Sequence, residues 1–408
     1  MKICTTPLIE RIGGKASAAL GCAIPVSVAA DNLLLFLILC CWLAGRDYRT
    51  KWLAIRHHPV SLAALALFIT LAAGITWAAD RHAAVSTALK YLDLLFMPLF
   101  IHYFRDPANR RFGLMLFSGT MILTLLISIF LKTGVILQTD LLAGSMNSPV
   151  VFKFRITHGF LMAFAAFLFA WMAIAAPEER RDRLLWTVLS ALACFNVLFM
   201  VEGATGYLTL AALISLIAIT RFSKKVLFIF VLILPVTIAA TLIVDNPLSR
   251  RAAQFSQEMQ NWKPGIGQRD SSLGLRLEFF GNTASIIAGN PLHGVGTGGF
   301  AKAYASHVAG TDMLATTNPH NEYLMIAAQT GIIGLGAFLF LLAIQWRTSV
   351  SLPSAVDVNL ARGLVIAMAI GCLFNSFLLD HAEGLFFAWM SGLLFAGYRS
   401  DTPTGQSA

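Results

Sequence analysis

The chain has 408 residues, of which 57% are hydrophobic and only 12% charged, about half the charged fraction of an ordinary soluble domain. That balance excludes a soluble globular enzyme. A formal net charge of +9 needs no nucleic acid to explain it, because a basic excess in a membrane protein is chiefly a topology signal.

The expected fold is an all-α polytopic membrane protein, a single integral membrane domain over 1–408 with about twelve transmembrane helices. Apolar runs long enough to cross hydrocarbon fall at approximately 18–30, 33–44, 60–78, 89–101, 112–131, 159–176, 184–201, 207–219, 226–244, 323–344, 364–379 and 385–398. The first two are separated at the polar Asp31-Asn32 pair. Basic residues fill alternate short turns, among them Arg46, Arg49, Lys51, Arg105, Arg110, Arg180, Arg221, Arg347 and Arg362. The positive-inside rule then puts both termini in the cytoplasm. Two segments on the opposite side exceed the length of a connector, 132–158 and a large, partly helical periplasmic loop at 245–320, before the third-last helix. The six cysteines lie in the N-terminal tail or in expected spans and show no metal-ligand spacing.

Within the large loop, Ser271-Ser272 can cap a helix over 273–288 that ends at Gly289-Asn290-Pro291. Leu275, Phe279, Phe280 and Ile286-Ile287 would face apolar surroundings, with Arg276 toward a polar one. The glycine-rich stretch Gly294-Val295-Gly296-Thr297-Gly298-Gly299 follows, a turn whose backbone N–H groups can approach a ligand closely. It follows no buried strand, so a dinucleotide-binding reading is rejected. Asn318-Pro319 reads as an N-cap followed by Pro at the first helical position, which puts His320 on the first turn of the next helix. The positive end of the helix dipole keeps such an imidazole neutral and attracts anions nearby.

His320 is thus a candidate general base; the plainer reading is a helix-start histidine bonded to loop backbone. Asn321 orients the imidazole or a sugar hydroxyl, or simply caps the helix. Arg276 binds phosphate, or pairs with Glu278. Arg155 lies where the smaller loop re-enters the membrane, with Lys153 before it and His158 three residues on, on the same helical face. Its bland reading is an interfacial anchor. No Asp-x-Asp pair occurs, so an external divalent-metal site is unsupported. Acidic residues inside spans, which a proton-coupled transporter needs, are nearly absent apart from Asp93.

Three motifs carry a resemblance: Gly274-Leu275-Arg276-Leu277-Glu278-Phe279, Asn290-Pro291-Leu292-His293-Gly294-Val295-Gly296, and Asn318-Pro319-His320-Asn321-Glu322-Tyr323. In this order, followed by Gln329-Thr330-Gly331-Ile332-Ile333-Gly334, they resemble the O-antigen ligase and polymerase family of bacterial membrane glycosyltransferases. The turn from Asn375 to Gly384 is also similar to the ligases. One departure stands out: family members often carry a Ser-Arg-Gly-like turn before the helix that begins near Tyr207, whereas this chain has Gly203-Ala204-Thr205-Gly206. The missing arginine shifts anion binding onto Arg155 and Arg276, or Lys153.

The resemblance implies transfer of O-antigen polysaccharide from undecaprenyl pyrophosphate to the lipid A-core oligosaccharide on the periplasmic face of a Gram-negative inner membrane. The partners are that donor, that acceptor and membrane lipids, with no nucleic acid, no cofactor and no metal, and the reaction inverts the anomeric centre. His320 deprotonates the acceptor hydroxyl. Arg276 stabilises the departing pyrophosphate, with Arg155, Asn321, Lys153 and His158 as substrate-binding candidates. Within the family the competing activities are an O-antigen polymerase and a protein O-oligosaccharyltransferase. Outside it, the competing class is a lipid or solute transporter, against which the scarcity of charge inside the spans argues.

Overall fold

The computed structural model describes residues 6–136, 138, 139, 142–176, 180–223, 225, 243, 244, 247–261 and 272–398. The expected span at 226–244 and the cap residue Ser271 lie outside the described residues, apart from Ile243 and Val244. The described residues form sixteen α-helices: α1 (Thr6–Ala23), α2 (Val28–Ala44), α3 (Tyr48–Arg56), α4 (Pro59–Ala73), α5 (Arg81–Lys90), α6 (Asp93–Tyr103), α7 (Pro107–Lys132), α8 (Arg155–Ala175), α9 (Arg180–Phe195), α10 (Ala204–Arg221), α11 (Pro247–Asn261), α12 (Ser272–Gly289), α13 (Phe300–His307), α14 (Glu322–Ser349), α15 (Ala355–Phe374) and α16 (His381–Phe395). No strand occurs among them.

Among the described residues, 8 helices are long and apolar enough to cross a membrane, or up to 9 if α2 and α3, bent by 114°, form one span. The difference from the expected twelve has identifiable origins. The first apolar run breaks at 24–27, not at Asp31-Asn32: Pro25 interrupts α1, and Ser27 caps α2 by accepting from the Ala30 N–H. Asp31 therefore sits in the first turn of α2, fully buried. The run at 89–101 is the second half of a longer helical stretch, Arg81–Tyr103. The last run, α16, has only 15 residues, and every residue from Ala382 to Phe395 is buried.

That burial makes α16 the axis of the bundle, packed on α6, α7 and α15. Its aromatic face interlocks with others: Phe386 meets Phe117, Phe160 and Phe164, and Trp389 meets Phe104 and Phe117. The Trp389 indole N–H, buried and in need of an acceptor, donates to the Ser17 carbonyl at 2.7 Å. Without a hydrophobic drive between helices in lipid, close approach of small residues does much of the joining. Gly206 and Gly159 provide it between α10 and α8, where a Cβ on Gly206 would lie 3.2 Å from the Gly159 Cα.

The bundle has two distinct ends. At one, Gly397 lies beside Arg110 and Pro353, and His58 bonds the Phe395 carbonyl. Many of the basic turns are here. At the other, the segments around 74–80, 149–157, 201–204, 290–321 and 373–383 meet, and these carry the candidate site.

Candidate active site

The Asn318-Pro319-His320 turn is built differently from the sequence expectation. The helix cap is Asn321, whose side chain accepts from the Leu324 N–H at 3.0 Å, and α14 begins at Glu322. Asn318 instead closes a local turn: its Oδ1 accepts from the His320 N–H at 2.7 Å and from the Ser376 hydroxyl at 2.7 Å. An asparagine bonding the backbone two residues on competes with helix capping, which is why the helix starts late. His320 is left just outside the helix with a positive φ of 55°, a left-handed conformation uncommon for a residue with a β-carbon.

That conformation is held from both sides. The Asn321 amide donates to the Leu373 carbonyl at 3.0 Å, and the Tyr323 hydroxyl to the Ala369 carbonyl at 2.9 Å. Glu322 is fully buried and accepts from the Tyr91 hydroxyl at 3.0 Å and the Leu378 N–H at 2.9 Å. A carboxylate so placed ties α14 to α5, α6 and the α15–α16 connection at once. Glu322 reads in sequence as a solvated helix-start residue, and its packing role depends on partners far away in the chain.

The imidazole itself is exposed. It stacks on Phe279 of α12, ring centroids 6.3 Å apart and planes at 29°. Phe279 lies one turn beyond Arg276 on the same helix. Partial burial and the Arg276 charge both hold the His320 pKa below the ordinary imidazole value. The expected bias toward the neutral imidazole is retained, with burial and an arginine as its cause in place of a seat on the first helical turn.

Arg276 also edges an apolar cavity of about 660 Å³ between α10, α11 and α12, lined by Tyr207, Phe255, Met259, Leu277, Phe280 and Phe374 among others. On its other face α12 packs Phe279 and Ile286 with Phe300 and Tyr304 of α13 and Met325 and Ala328 of α14, with Leu275 and Ile287 alongside. The helix at 272–289 thus matches its expected extent, with Leu275, Phe279, Ile286 and Ile287 packed as expected. Arg276, expected toward a polar surround, instead turns with Phe280 to the apolar cavity.

Lys153 and Arg155 line a second cavity, of about 700 Å³, together with Asp380, His381 and Glu383. Burial lowers the Lys153 pKa, while Asp31 and Glu383 pull it back up. Burial raises that of Asp380, which Lys90 partly offsets. Arg155 opens α8 and is exposed. Its neighbour His158 does not share that face: it is buried and bonded to Asn196 Oδ1 at 3.1 Å, and the Asn196 amide donates to Ser128 at 2.7 Å. His158 therefore latches α8 to the π-helical turn at Asn196–Met200, with its ring turned into the bundle.

The glycine-rich turn is also corrected. Its N–H groups are consumed within the protein: Gly294 donates to the Asn290 carbonyl, Val295 to Ala328, Gly296 to Gln329, Thr297 to Gly74 and Gly299 to Gly296. Gly298 donates to the Gln329 side chain at 2.7 Å. The acceptors Ala328 and Gln329 are carbonyls of α14 freed by a break at Gly331, which has φ 66° and ψ −159°. The turn is a clamp on a broken helix and presents no anion cradle.

Among the described residues no group of three or more His, Cys, Asp or Glu is placed to hold a metal ion. The fold and site define a multi-pass, all-helical membrane protein with His320 stacked on the Arg276-bearing helix at one end of the bundle, beside an apolar cavity. Residues 189–339 match the family model described as O-antigen ligase, which supports assignment of the chain to that family. The match spans Arg276, His320 and the apolar cavity's main walls. Family members are glycosyltransferase-like enzymes of O-antigen and glycan processing that use lipid-linked glycans. No curated protein matches the chain.

Proposed function

We propose that the protein is an O-antigen ligase that transfers a polysaccharide from undecaprenyl pyrophosphate to the lipid A-core oligosaccharide, without a metal and with inversion. The observation that carries this reading is that Phe279, stacked on the His320 ring, and Arg276, at the edge of the apolar cavity, stand one turn apart on α12. A polyprenyl chain lies in the cavity, and its pyrophosphate meets Arg276. Arg155 contributes a second cation from the start of α8, whose backbone abuts Gly203 next to the cavity residue Ala204. This arrangement supplies the positive charge that the family arginine, absent near Thr205, gives elsewhere.

In the reaction the acceptor hydroxyl oxygen forms a bond to the anomeric carbon as that carbon's bond to the pyrophosphate oxygen breaks. The hydroxyl proton passes to the neutral His320 imidazole. The leaving pyrophosphate keeps the bonding electrons, and Arg276 stabilises the developing charge, an effect on the order of 2 to 4 kcal/mol for one preorganised donor. Inversion follows if His320 and the pyrophosphate occupy opposite faces of the donor sugar. The basic turns at the far end of the bundle support cytoplasmic termini and a site facing the periplasm of a Gram-negative cell.

The test is transfer of purified lipid-linked polysaccharide to lipid A-core by the detergent-solubilised protein. His320→Ala should lose about a hundredfold or more in turnover, and near wild-type turnover would overturn the base assignment. In a deletion strain, loss of all long-chain lipopolysaccharide with accumulation of lipid-linked polymer supports the ligase. Capping by single repeats would identify a polymerase instead.

A further inference from the structure

The charged cavity at Lys153 shares Arg155 and a structural wall with the donor site, while its other charged lining groups, Lys153, Asp380, His381 and Glu383, have no part in the donor chemistry. Phe374 lines the apolar cavity, and six to nine residues later Asp380, His381 and Glu383 line the charged one. The connecting segment is fastened to the His320 turn, through Ser376 to Asn318 at 2.7 Å and through the Leu378 N–H to Glu322 at 2.9 Å. Whatever occupies the charged cavity is therefore held in register with the imidazole.

Its walls mix donors and acceptors. Lys153 and Arg155 donate, Asp380 and Glu383 accept. Asp380 stands at the N-cap of α16, where an aspartate ordinarily accepts from its own helix, yet its side chain makes no capping bond. It is exposed and lines the cavity. Glu383 lines the cavity although the residue is only 3% exposed. Behind the wall, the fully buried Asp31 lies 3.7 Å from the His381 imidazole, and neither of its oxygens has a hydrogen-bond partner among the described residues. With Arg155 given to the donor pyrophosphate, Lys153 is left facing Asp380 and Glu383, a mixed set that suits the hydroxyls of a polyol better than a second phosphate. Carboxylates accept strong bonds from hydroxyls, and the volume is in the range of small-ligand sites.

We propose that this cavity seats the terminal hexose of an acceptor oligosaccharide, with vicinal hydroxyls held by the Asp380 and Glu383 carboxylates. The word acceptor rests on the ligase reading above; the recognition of sugar hydroxyls does not.

The experiment is calorimetric titration of the full chain in detergent with core oligosaccharide released by mild acid from the lipopolysaccharide of the source strain. A second titration uses the same oligosaccharide after periodate oxidation and borohydride reduction, which destroys vicinal diols and leaves phosphates in place. The wild type should bind the intact form, and Asp380→Asn and Glu383→Gln should each weaken binding roughly tenfold or more. The oxidised form should not bind. Absence of saturable binding by the wild type, undiminished binding by folded variants, or equal binding of the oxidised form would overturn the proposal, the last by showing phosphate recognition. Because Glu383 is buried, its variant can fail to fold; Asp380→Asn at an exposed position and the oxidised ligand still decide. A wild type that binds the oligosaccharide but transfers nothing to lipid A-core would defeat the ligase reading and leave the sugar site standing.

Discussion

The Tyr91 hydroxyl donates to Glu322 Oε1 at 3.0 Å, joining two residues 231 positions apart and fixing the start of α14 two residues after His320. The Gln329 amide donates in turn to the Tyr91 oxygen at 3.3 Å, so one buried chain of hydrogen bonds runs from the glycine-rich clamp to the His320 turn. Tyr91→Phe keeps the ring and removes one donor from a buried carboxylate, a loss of about 1 to 3 kcal/mol. The variant's unfolding midpoint in detergent should fall, and transfer should slow several-fold as the turn loosens. A wild-type midpoint and rate would show that the backbone of the α15–α16 connection holds Glu322 without Tyr91.

The electrostatics of His320 make a pH prediction. Burial and the Arg276 charge both lower its pKa from the ordinary value, so the neutral, proton-accepting form persists further into acid. The acid limb of kcat/KM should therefore lie below the usual imidazole range. Arg276→Gln removes the cation and should move that limb to higher pH, in addition to weakening transfer. Arg276→Lys, which keeps the charge, should leave the limb near its wild-type position while still losing activity, since lysine lacks the bidentate fork. A limb unmoved by Arg276→Gln would mean that a different group titrates.

The parts of this architecture legible in the sequence are those governed by short-range pattern. The extent of α12, most of its apolar face and the neighbourhood of Arg276 and His320 follow from periodicity and motif order. What was hidden depended on distant partners. Asn321, not Asn318, caps α14 because Asn318 is committed to His320 and to Ser376 across 58 residues. His158 turns inward because Asn196, 38 residues on, receives it. The glycine-rich turn looked free to bind a ligand because nothing local reveals that Gly331 opens α14 and frees carbonyls for it. Asp31 and Glu322, polar residues at or near apolar runs, looked like boundaries or solvated ends, and both are buried in helices.

Gly331 offers a test of the clamp. Its φ is 66°, and a Cβ there would lie 2.2 Å from the Leu292 carbonyl oxygen, which is backbone and cannot swing away. Gly331→Ala combines left-handed strain with a steric clash, a cost of at least 1 to 3 kcal/mol from the backbone conformation by order of magnitude. Gly336, in the same helix, has nothing within 4 Å of such a Cβ, so Gly336→Ala should be tolerated. Thermal unfolding of the two variants in detergent compares them directly. Equal midpoints would mean that α14 can close its break without the glycine.

The apolar cavity predicts a substrate-specific kinetic effect. Phe280 lines it beside Leu277 and Phe374, on the helix that carries Arg276. Burying an aromatic side chain against a polyprenyl chain contributes about 1.5 to 3 kcal/mol, so Phe280→Ala should raise the donor KM roughly tenfold or more while the acceptor KM stays put. Shortening the polyprenyl chain of the donor removes the same contact from the other side. The wild type should then lose affinity for the short-chain donor, and Phe280→Ala should lose little further, the non-additivity expected when two changes delete one interaction. Independent, additive losses would place the lipid chain elsewhere on the bundle and separate Arg276 from the site of chain binding.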